Sequence, residues 1–270
     1  MTSIEKNFFN IRYLDTLAQQ TTWVHNLDPR AKLLTTLFFI VTVVSFDKYT
    51  IAQMIPFVLY PVVLMGMGKL PAGYILNKIL LVAPFAILLG IFNPFFDTTA
   101  HLMIGSVTIS GGWVSFSSLL LRFGLTVSAA LIFIALTSFN GFCLALEKFH
   151  IPEVFVIQLL LLYRYLFVLV DEAIRMTRAR ALRAFSSKSM SLGTFTAMIG
   201  QLLLRATNRA ERIHLAMKCR GFDGHVRLMH TTRIGVSDIL FTLGWSILFL
   251  VMRTHNIPLL IGTRALGFLS

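Results

Sequence analysis

Long apolar segments are the feature of this sequence that most constrains its fold. Five runs have the length and the near absence of charge expected of helices that cross a bilayer, which takes roughly 20 residues each. They cover residues 31–46, 51–67, 79–96, 113–139 and 236–252. The composition agrees, because 56% of the 270 residues are hydrophobic and only 13% are charged. A soluble globular domain is excluded, and an all-α polytopic membrane protein is predicted.

A sixth apolar run, residues 154–170, differs from the other five because Gln158 and Arg164 interrupt it. No Gly or Pro separates it from the charged sequence that begins at Asp171, so one long helix is expected to include both parts. The polar residues favour a helix that lies in or under the membrane interface over one that crosses the bilayer. The expected number of spans is therefore about five.

The distribution of Lys and Arg predicts the orientation of the spans. Arg30 and Lys32 come just before the first span, Lys69 and Lys78 lie between the second and the third, and residues 79–121 contain neither type. Positively charged loops stay in the cytoplasm. The N-terminus, the loop between the second and third spans and the basic region after the fourth span are therefore placed inside the cell.

The same rule places the other loops. The loop at residues 97–112 is expected outside, and so is the C-terminal tail, unless residues 257–269 re-enter the membrane or lie at its interface. Residues 1–22 carry charges and no apolar core, so they do not resemble a cleaved signal peptide. The expected location is the inner membrane. The predicted parts are residues 1–139 with an interfacial segment and four spans, residues 140–235 in the cytoplasm, and residues 236–270 with the last span and tail.

The most basic part of the chain is residues 163–233. It contains 13 of the 24 Lys and Arg residues but only four of the 12 acidic residues. In an otherwise apolar protein, such a region predicts a cytoplasmic docking surface. A serine-rich linker at residues 186–191 divides it into two long helices.

These two helices are expected to pack across each other. The second has a narrow apolar seam with spacings of three and four residues, and its arginines lie on a neighbouring side. Small residues in the seam permit a close approach to the first helix, which offers a matching series. The predicted packing residues are Ala173, Thr177, Ala181 and Ala184 in the first helix, and Leu203, Ala206, Ala210, Ile213 and Met217 in the second.

Each helix is predicted to end in a short sequence centred on an arginine. In one interpretation of the second end, the arginine and Gly221 simply cap the helix. In the other, each end inserts an arginine and an exposed Phe into a groove on another protein, where a guanidinium holds carboxylates or carbonyls. The candidate contact residues are Leu182, Arg183, Ala184 and Phe185 in the first helix, and Cys219, Arg220, Gly221 and Phe222 in the second.

Three stretches of the sequence carry a family resemblance. They are Asn-Leu-Asp-Pro-Arg-Ala-Lys-Leu at residues 26–33, Glu-Ala-Ile-Arg at 172–175 leading to Arg183, and Arg-Ala-Glu-Arg at 209–212 leading to Arg220. They look like the transmembrane coupling component, the T subunit of the EcfT or CbiQ type, of energy-coupling-factor transporters. The resemblance covers most of the chain. In that family two Ala-Arg-Gly motifs end the coupling helices and dock on two ATPase subunits.

Carried across, the resemblance implies that Arg183 and Arg220 are the coupling arginines. The sequence departs from the family motif, with Leu-Arg-Ala at the first position and Cys-Arg-Gly at the second. The resemblance further implies a cobalt or nickel importer whose other parts are two ABC-type ATPases and a small membrane protein that binds the substrate. The chain itself is then not an enzyme and has no cofactor, because ATP and Mg²⁺ are bound by the ATPases. Its remaining partner is the lipid bilayer.

Intrinsic chemistry finds little support in the residues. Cys143 and Cys219 lie outside any metal-ligand spacing, no pair of histidines has the helical spacing of a ligand set, and His101 is only a weak candidate. The sequence Gly-Met-Gly-Lys-Leu at residues 66–70 does not match a Walker A loop. No catalytic triad or carboxylate pair is present.

Other classes of function stay open. The basic helices could bind anionic lipid headgroups and make the protein a membrane scaffold. The chain could also be a self-sufficient polytopic transporter or enzyme. Nucleic acid is not expected as a partner, because no aromatic stacking platform accompanies the basic residues.

Overall fold

The apolar segments fold as helices in the computed structural model, which describes residues 15–96, 100–104, 107–183, 191–224 and 234–255. The elements in chain order are α1 (Trp23–Asn26), α2 (Pro29–Val44), α3 (Ile51–Met54), a 3-10 turn (Ile55–Val58), α4 (Leu59–Met67), α5 (Ala72–Gly90), α6 (Asn93–Phe96), β1 (Ala100–Ile104), β2 (Val107–Ser110), α7 (Gly111–Leu136), α8 (Phe139–Lys148), α9 (Glu153–Arg183), α10 (Leu192–Cys219) and α11 (Val236–Thr254).

Four helices of the described chain are long and apolar enough to cross a membrane, namely α5, α7, α9 and α11. Three of them coincide with predicted spans. The first two predicted spans form shorter helices: α2 has 16 residues, and residues 51–67 consist of α3, the 3-10 turn and α4. Pro56 lies at the start of that turn and removes a backbone donor there. The chain is a polytopic α-helical membrane protein.

Helix α9 confirms the prediction of one long helix that includes the sixth apolar run and the charged sequence after it. It runs without a break over 31 residues and is therefore about 46 Å long. Its apolar half meets the length and composition expected of a span, because Gln158 and Arg164 interrupt the run without lowering its mean hydropathy enough to exclude one. The interfacial placement of this helix stays a prediction.

The segment expected to be an external loop at residues 97–112 contains a short antiparallel hairpin. Leu102 pairs with Ile109, Met103 with Thr108 and Ile104 with Val107. β-branched residues are frequent in strands, and β2 has three of them in succession. The helical periodicity that identifies the spans carries no information about such a short pairing.

The chain divides into two compact units. We call the described part of residues 15–138 together with residues 234–255 the bundle unit, and the described part of residues 139–224 the arginine unit. The bundle unit contains α1 to α7, the hairpin and α11. The arginine unit contains α8, α9 and α10, and the ring of Phe139 in α8 stacks on that of Tyr163 in α9 with their centroids 4.1 Å apart.

An aromatic cluster forms the core of the bundle unit. The rings of Phe39, Tyr60 and Phe249 come from α2, α4 and α11, and their centroids lie 4.5 to 5.3 Å apart. All three side chains are buried. The Tyr60 hydroxyl lies 3.1 Å from the Thr36 hydroxyl, so its polar atom has a partner inside the core. Buried aromatic pairs add to the stabilisation from burial, and these three fasten the three helices to one another.

A glycine sets the distance between α5 and α7. A Cβ atom added at Gly90 would lie only 2.8 Å from Cδ2 of Phe116. Such a contact is shorter than packed carbon atoms tolerate. The absence of a side chain at Gly90 therefore allows these two predicted spans to pack closely.

Candidate functional site

The C-terminal end of α10 is a Schellman turn. The Phe222 N–H donates to the Met217 carbonyl and the Gly221 N–H donates to the Lys218 carbonyl, both at 3.0 Å. Gly221 has a φ of +79°, the left-handed conformation that glycine adopts readily. The capping interpretation of Gly221 is confirmed. Capping leaves Arg220 exposed beyond the helix end, so the geometry is also compatible with a contact to another protein.

Phe222 does not have the exposed position that the sequence predicts for it. Instead of being exposed, Phe222 is half-buried and lines an apolar cavity together with Met217. A contact between these two positions commonly accompanies a Schellman turn. The exposed residues at this end are therefore Cys219 and Arg220, not the Phe.

The end of α9 presents its arginine in a similar way. Arg183 is the last residue of the helix, and both it and Leu182 are exposed, the latter by 82%. The predicted contact residues Ala184 and Phe185 lie outside the described residues. An arginine in the last turn also favours the negative end of the helix dipole.

The apolar cavity, which we call the groove, lies between α9 and α10 and has a volume of about 370 Å³. Four of the five packing residues predicted for the second helix line it, namely Ala206, Ala210, Ile213 and Met217. Leu203 does not line it and is mostly exposed. No residue of α10, all of which the structure describes, is buried, so its seam borders an open groove.

The opposite wall of the groove comes from a different part of α9 than the sequence predicts. It is formed by residues between Ile157 and Leu169, whereas Ala173, Thr177 and Ala181 do not line the groove. The Thr177 hydroxyl donates instead to the Ile174 carbonyl of its own helix, at 2.8 Å. The position of one helix along the other depends on contacts between distant residues, which periodicity does not specify.

The second cavity, which we call the cleft, lies between the other halves of α9 and α10 and has a volume of about 570 Å³. The residues that line it include one carboxylate, Glu172, and four arginines: Arg175, Arg180, Arg183 and Arg205. Glu172 forms ion pairs with Arg175, at 3.4 Å along α9, and with Arg205 on α10. The second pair links the two helices.

The bundle unit contains a separate group of polar residues, which is buried. Lys32, near the start of α2, is only 5% exposed. Its ammonium donates to the His25 carbonyl at 3.1 Å and to the Leu136 carbonyl at 2.9 Å. Because Leu136 is the last residue of α7, the ammonium lies at the negative end of that helix dipole.

Two buried carboxylates accompany this lysine. Asp28 precedes α2 and caps it by accepting from the Arg30 N–H at 2.9 Å. Asp238, in the first turn of α11, accepts from the Asp28 N–H and from the Gly235 N–H, both at 2.8 Å. Both carboxylates attract the Lys32 ammonium. We call Asp28, Lys32 and Asp238 the buried node, and it ties together the starts of α2 and α11 and the end of α7.

His25 lies beside the buried node. Its Nδ1 atom is 2.6 Å from the Thr22 hydroxyl. Burial lowers the pKa of His25 from its ordinary value of 6.5, and the positive charge of Lys32 lowers this pKa further. The folded state therefore favours the neutral imidazole.

The turn after α2 contacts the last turn of α11 and the middle of α7. Arg253, in the last turn of α11, donates to the Ser45 carbonyl at 2.8 Å and stacks on Phe46 at 4.1 Å. Arg122 of α7 donates to the Asp47 carbonyl at 3.0 Å. Helices α2 and α11 therefore run in the same direction, and α7 runs antiparallel to them. These are the relative directions that the charge pattern predicts.

The family of the chain follows from its match to known proteins. Residues 20–232 match the family model of the cobalt transport protein CbiQ. The chain belongs to the CbiQ family. The matched region includes the Asp28 cap, the buried lysine and both arginine-bearing helix ends.

Three relatives are similar to this chain, and two of them are named as cobalt transport proteins. The cobalt transport protein CbiQ of Rhodobacter capsulatus is 32% identical over 87 residues, which are 32% of this chain and 36% of that protein. A chain named as a fused cobalt transport protein, CbiMQ, of Methanocorpusculum labreanum is 29% identical over 114 residues, 42% of this chain and 19% of that one. An uncharacterized protein of Methanocaldococcus jannaschii is 28% identical over 153 residues, 56% of this chain and 49% of that one. The matches span about half or less of these curated relatives.

Sequence reasoning misses one residue of this CbiQ-family chain that the structure makes prominent. Asp238 is a single acid at the start of an apolar span, three residues after Gly235. That spacing is a helix-capping signal, and an acid so close to a span predicts a buried partner. Its partner is the backbone of Asp28, 210 residues away, which no local pattern identifies.

The described part of this CbiQ-family chain contains no group of three or more His, Cys, Asp or Glu side chains arranged to hold a metal ion. The side chain of His101 lies outside what the structure describes. Cys143 in α8 is buried, and burial raises the pKa of its thiol to about 11, so it stays protonated and inert at neutral pH. Cys219 is exposed at the end of α10.

Proposed function

We propose that this chain is the transmembrane coupling subunit of an energy-coupling-factor importer. In this role it transmits the ATP-driven motion of two ATPase subunits to a small membrane protein that binds the substrate. The observation that carries the proposal is the pair of exposed arginines, Arg183 and Arg220, at the ends of two long helices in a CbiQ-family chain. A guanidinium at a helix end can hold carboxylates or carbonyls of a groove that receives it.

The arrangement of α9 and α10 supports two separate contacts. Arg183 lines the cleft, whereas Met217 and Phe222, the neighbours of Arg220, line the groove. The two cavities lie towards opposite ends of the helix pair, so the two arginines do as well. Two separated tips suit two ATPase subunits that move together and apart as ATP binds and is hydrolysed.

The helix ends also suit the transmission of force. Helix α10 has 28 residues, begins at a Ser191 side chain that accepts from the Thr194 N–H at 3.3 Å, and ends in the Schellman turn. Satisfied end groups reduce fraying of a helix. A displacement at Arg220 therefore moves the whole of α10, and the ion pair of Arg205 with Glu172 passes it to α9.

The substrate we propose is cobalt, with nickel as the alternative, because the names of two relatives specify cobalt transport. We assign the selection of the metal to the substrate-binding subunit. The chain needs no cofactor in this mechanism, since ATP and Mg²⁺ belong to the ATPases. We propose that the basic region lies in the cytoplasm, on the same side of the membrane as the ATPases.

The replacement of Arg220 by Glu tests the proposal. The variant is expected to abolish cobalt uptake by cells and to weaken co-purification of the ATPases at least about 30-fold, the effect of losing a central interface arginine. Arg212→Glu is the matched control, because Arg212 is exposed on the same helix and donates to the Asn208 carbonyl of that helix. Membrane insertion of both variants is checked by their amount in the membrane fraction.

Normal uptake in the Arg220→Glu variant would contradict the proposal. An equal loss in the Arg212→Glu control would show that general charge, and not a specific tip, carries the function. Arg183→Glu tests the first helix in the same way. Loss of uptake in that variant is expected if both arginines contact an ATPase.

A further inference from the structure

The two cavities of the arginine unit adjoin each other along both helices and differ in chemical type. Leu169, which lines the groove, lies one turn before Glu172, which lines the cleft. On the other helix, Arg205 of the cleft and Ala206 of the groove are consecutive. The groove ends where the cleft begins, on both helices.

The order along the two helices is opposite. On α9 the groove precedes the cleft, from Ile157 towards Arg183, whereas on α10 the cleft precedes the groove, from Thr194 towards Met217. The helices are therefore antiparallel, and the Glu172 to Arg205 ion pair marks the boundary between the cavities. Each cavity has a volume within the range of about 300–1,000 Å³ that small-molecule sites occupy.

The lining of the two cavities differs in chemistry. Apart from Tyr165, Arg209 and His214, the groove is lined by aliphatic side chains, Met217 and Phe222. The cleft is lined by four arginines and a single carboxylate among the described residues. One carboxylate does not neutralise four guanidinium groups, so the cleft has an excess of positive charge. An occupant that matches both cavities is apolar at one end and anionic at the other.

We propose that the α9–α10 pair binds an anionic phospholipid, with an acyl chain in the groove and the phosphate in the cleft. The apolar half of α9 has the hydropathy of a membrane segment, so a helix pair that lies along the cytoplasmic face of the membrane presents the groove to lipid while both helix ends stay in the cytoplasm. Arginine is well suited to phosphate because its planar fork of N–H groups donates two bonds at once. The site requires neither the ATPases nor the metal and does not rest on the coupling role.

Native mass spectrometry of the detergent-purified full chain tests the site. The probes are phosphatidylglycerol, phosphatidylcholine with the same acyl chains, and glycerol phosphate, which has the anionic group without the chains. Each arginine near an anionic headgroup contributes roughly fivefold in affinity. We expect wild-type protein to retain phosphatidylglycerol at least about 20-fold better than phosphatidylcholine and expect glycerol phosphate not to compete.

A double variant and a matched control locate the headgroup. Arg175→Gln with Arg180→Gln removes two arginines of the cleft and is expected to reduce phosphatidylglycerol retention about 25-fold. Arg178→Gln with Arg212→Gln removes the same amount of charge from the helix pair, one arginine from α9 and one from α10, at positions outside both cavities, and is expected to change retention less than about twofold. Arg183 is left unchanged because it belongs to the proposed coupling contact.

A filled groove tests the acyl chain. Ala210→Phe places a ring in the groove and is expected to weaken phosphatidylglycerol retention at least about tenfold, whereas Ala216→Phe, at an exposed position of the same helix, is expected to leave it unchanged. Two results overturn the site: equal retention of the two lipids by wild-type protein, or equal losses in the two arginine double variants. Competition by glycerol phosphate as strong as that by phosphatidylglycerol would show an anion site without an acyl chain, and also overturns it.

A photoreactive residue at position 210 identifies the occupant in cells that contain the whole transporter. A crosslink to phospholipid supports the site. A crosslink to another protein shows that a partner subunit fills the groove and overturns the lipid proposal. Because Arg220 is unchanged in this experiment, its outcome is separate from that of the coupling test.

Discussion

The bundle unit and the arginine unit use charged residues in opposite ways. In the bundle unit, Asp28, Lys32 and Asp238 are 3 to 6% exposed, and backbone groups engage each of them. In the arginine unit, the side chains of Arg175 and Arg205 are 67% and 58% exposed. Buried charges are expensive to desolvate and persist only with partners, whereas exposed pairs contribute little to stability. The first set therefore holds the protein together, and the second is available to other molecules.

The largest expected contrast is between one carboxylate of each unit. Asp238→Ala leaves the N–H groups of Asp28 and Gly235 without their acceptor and removes a charge that attracts Lys32. We expect it to lower the free energy of unfolding by about 3–5 kcal/mol. Glu172→Ala removes its ion pairs with Arg175 and Arg205 and is expected to cost about 1 kcal/mol or less.

Thermal unfolding of the two variants in detergent measures this contrast. Asp171→Ala is the control for Glu172→Ala, because Asp171 is an exposed acid on the same helix. Equal destabilisation by Asp238→Ala and Glu172→Ala would remove the distinction between the two sets of charges. If Lys32→Met restores the melting temperature of the Asp238→Ala variant, the buried Lys32 ammonium left without the Asp238 carboxylate is the main source of the lost stability.

A smaller contrast concerns glycines. Gly90→Ala in the bundle unit creates a contact of 2.8 Å with the Phe116 ring, and we expect it to destabilise the protein by about 1–3 kcal/mol. Gly200→Ala in the arginine unit meets no atom within 4 Å. In a helix interior that change is expected to be neutral or to stabilise by up to about 1 kcal/mol. Melting temperatures of the purified chains compare the two, and a loss at both positions would show that α10 is packed more tightly than the structure indicates.

The smallest expected effect is a dependence on pH. The pKa of His25 is lower in the folded state than its ordinary value of 6.5, so the unfolded state binds the proton more readily. Stability then rises with pH and is lost as pH falls through 6.5 towards the folded pKa. We expect the melting temperature to fall less on acidification in a His25→Asn variant than in the wild type. His214→Asn, at an exposed position of α10, should keep the wild-type slope of melting temperature against pH. An identical slope in all three proteins would exclude His25 as the source of the pH dependence.

Much of the fold can be predicted from the sequence because its signals are local. Hydropathy and helical period identify α5, α7 and α11 as spans and α9 as one long helix, since a span needs only a continuous apolar run. The Schellman turn is similarly local, because Gly221 can adopt a left-handed conformation whatever surrounds it. The exposed arginines at the two helix ends follow from these same signals.

The rest depends on contacts between distant residues. The Asp238 carboxylate binds the N–H of a residue 210 positions away, and nothing within one helix turn of either residue specifies that pairing. The register of α9 against α10 has the same character, so the seam around Ala206 and Ala210 is recognised but its partner surface is not. The direction of Phe222 depends on the turn together with the cavity beneath it.

The buried node has a consequence for the synthesis of the protein. Asp28 and Lys32 are made early, but the carboxylate of Asp238 follows 210 residues later. At about 5–20 residues per second, the ribosome needs roughly 10–40 s to reach it. During that interval α2, the first predicted span, lacks the partner that completes the burial of its charged start. A nascent chain that stops before α11 therefore leaves the ribosome with an ammonium whose second carboxylate never arrives, and membrane quality-control proteases should remove it faster than the full-length chain.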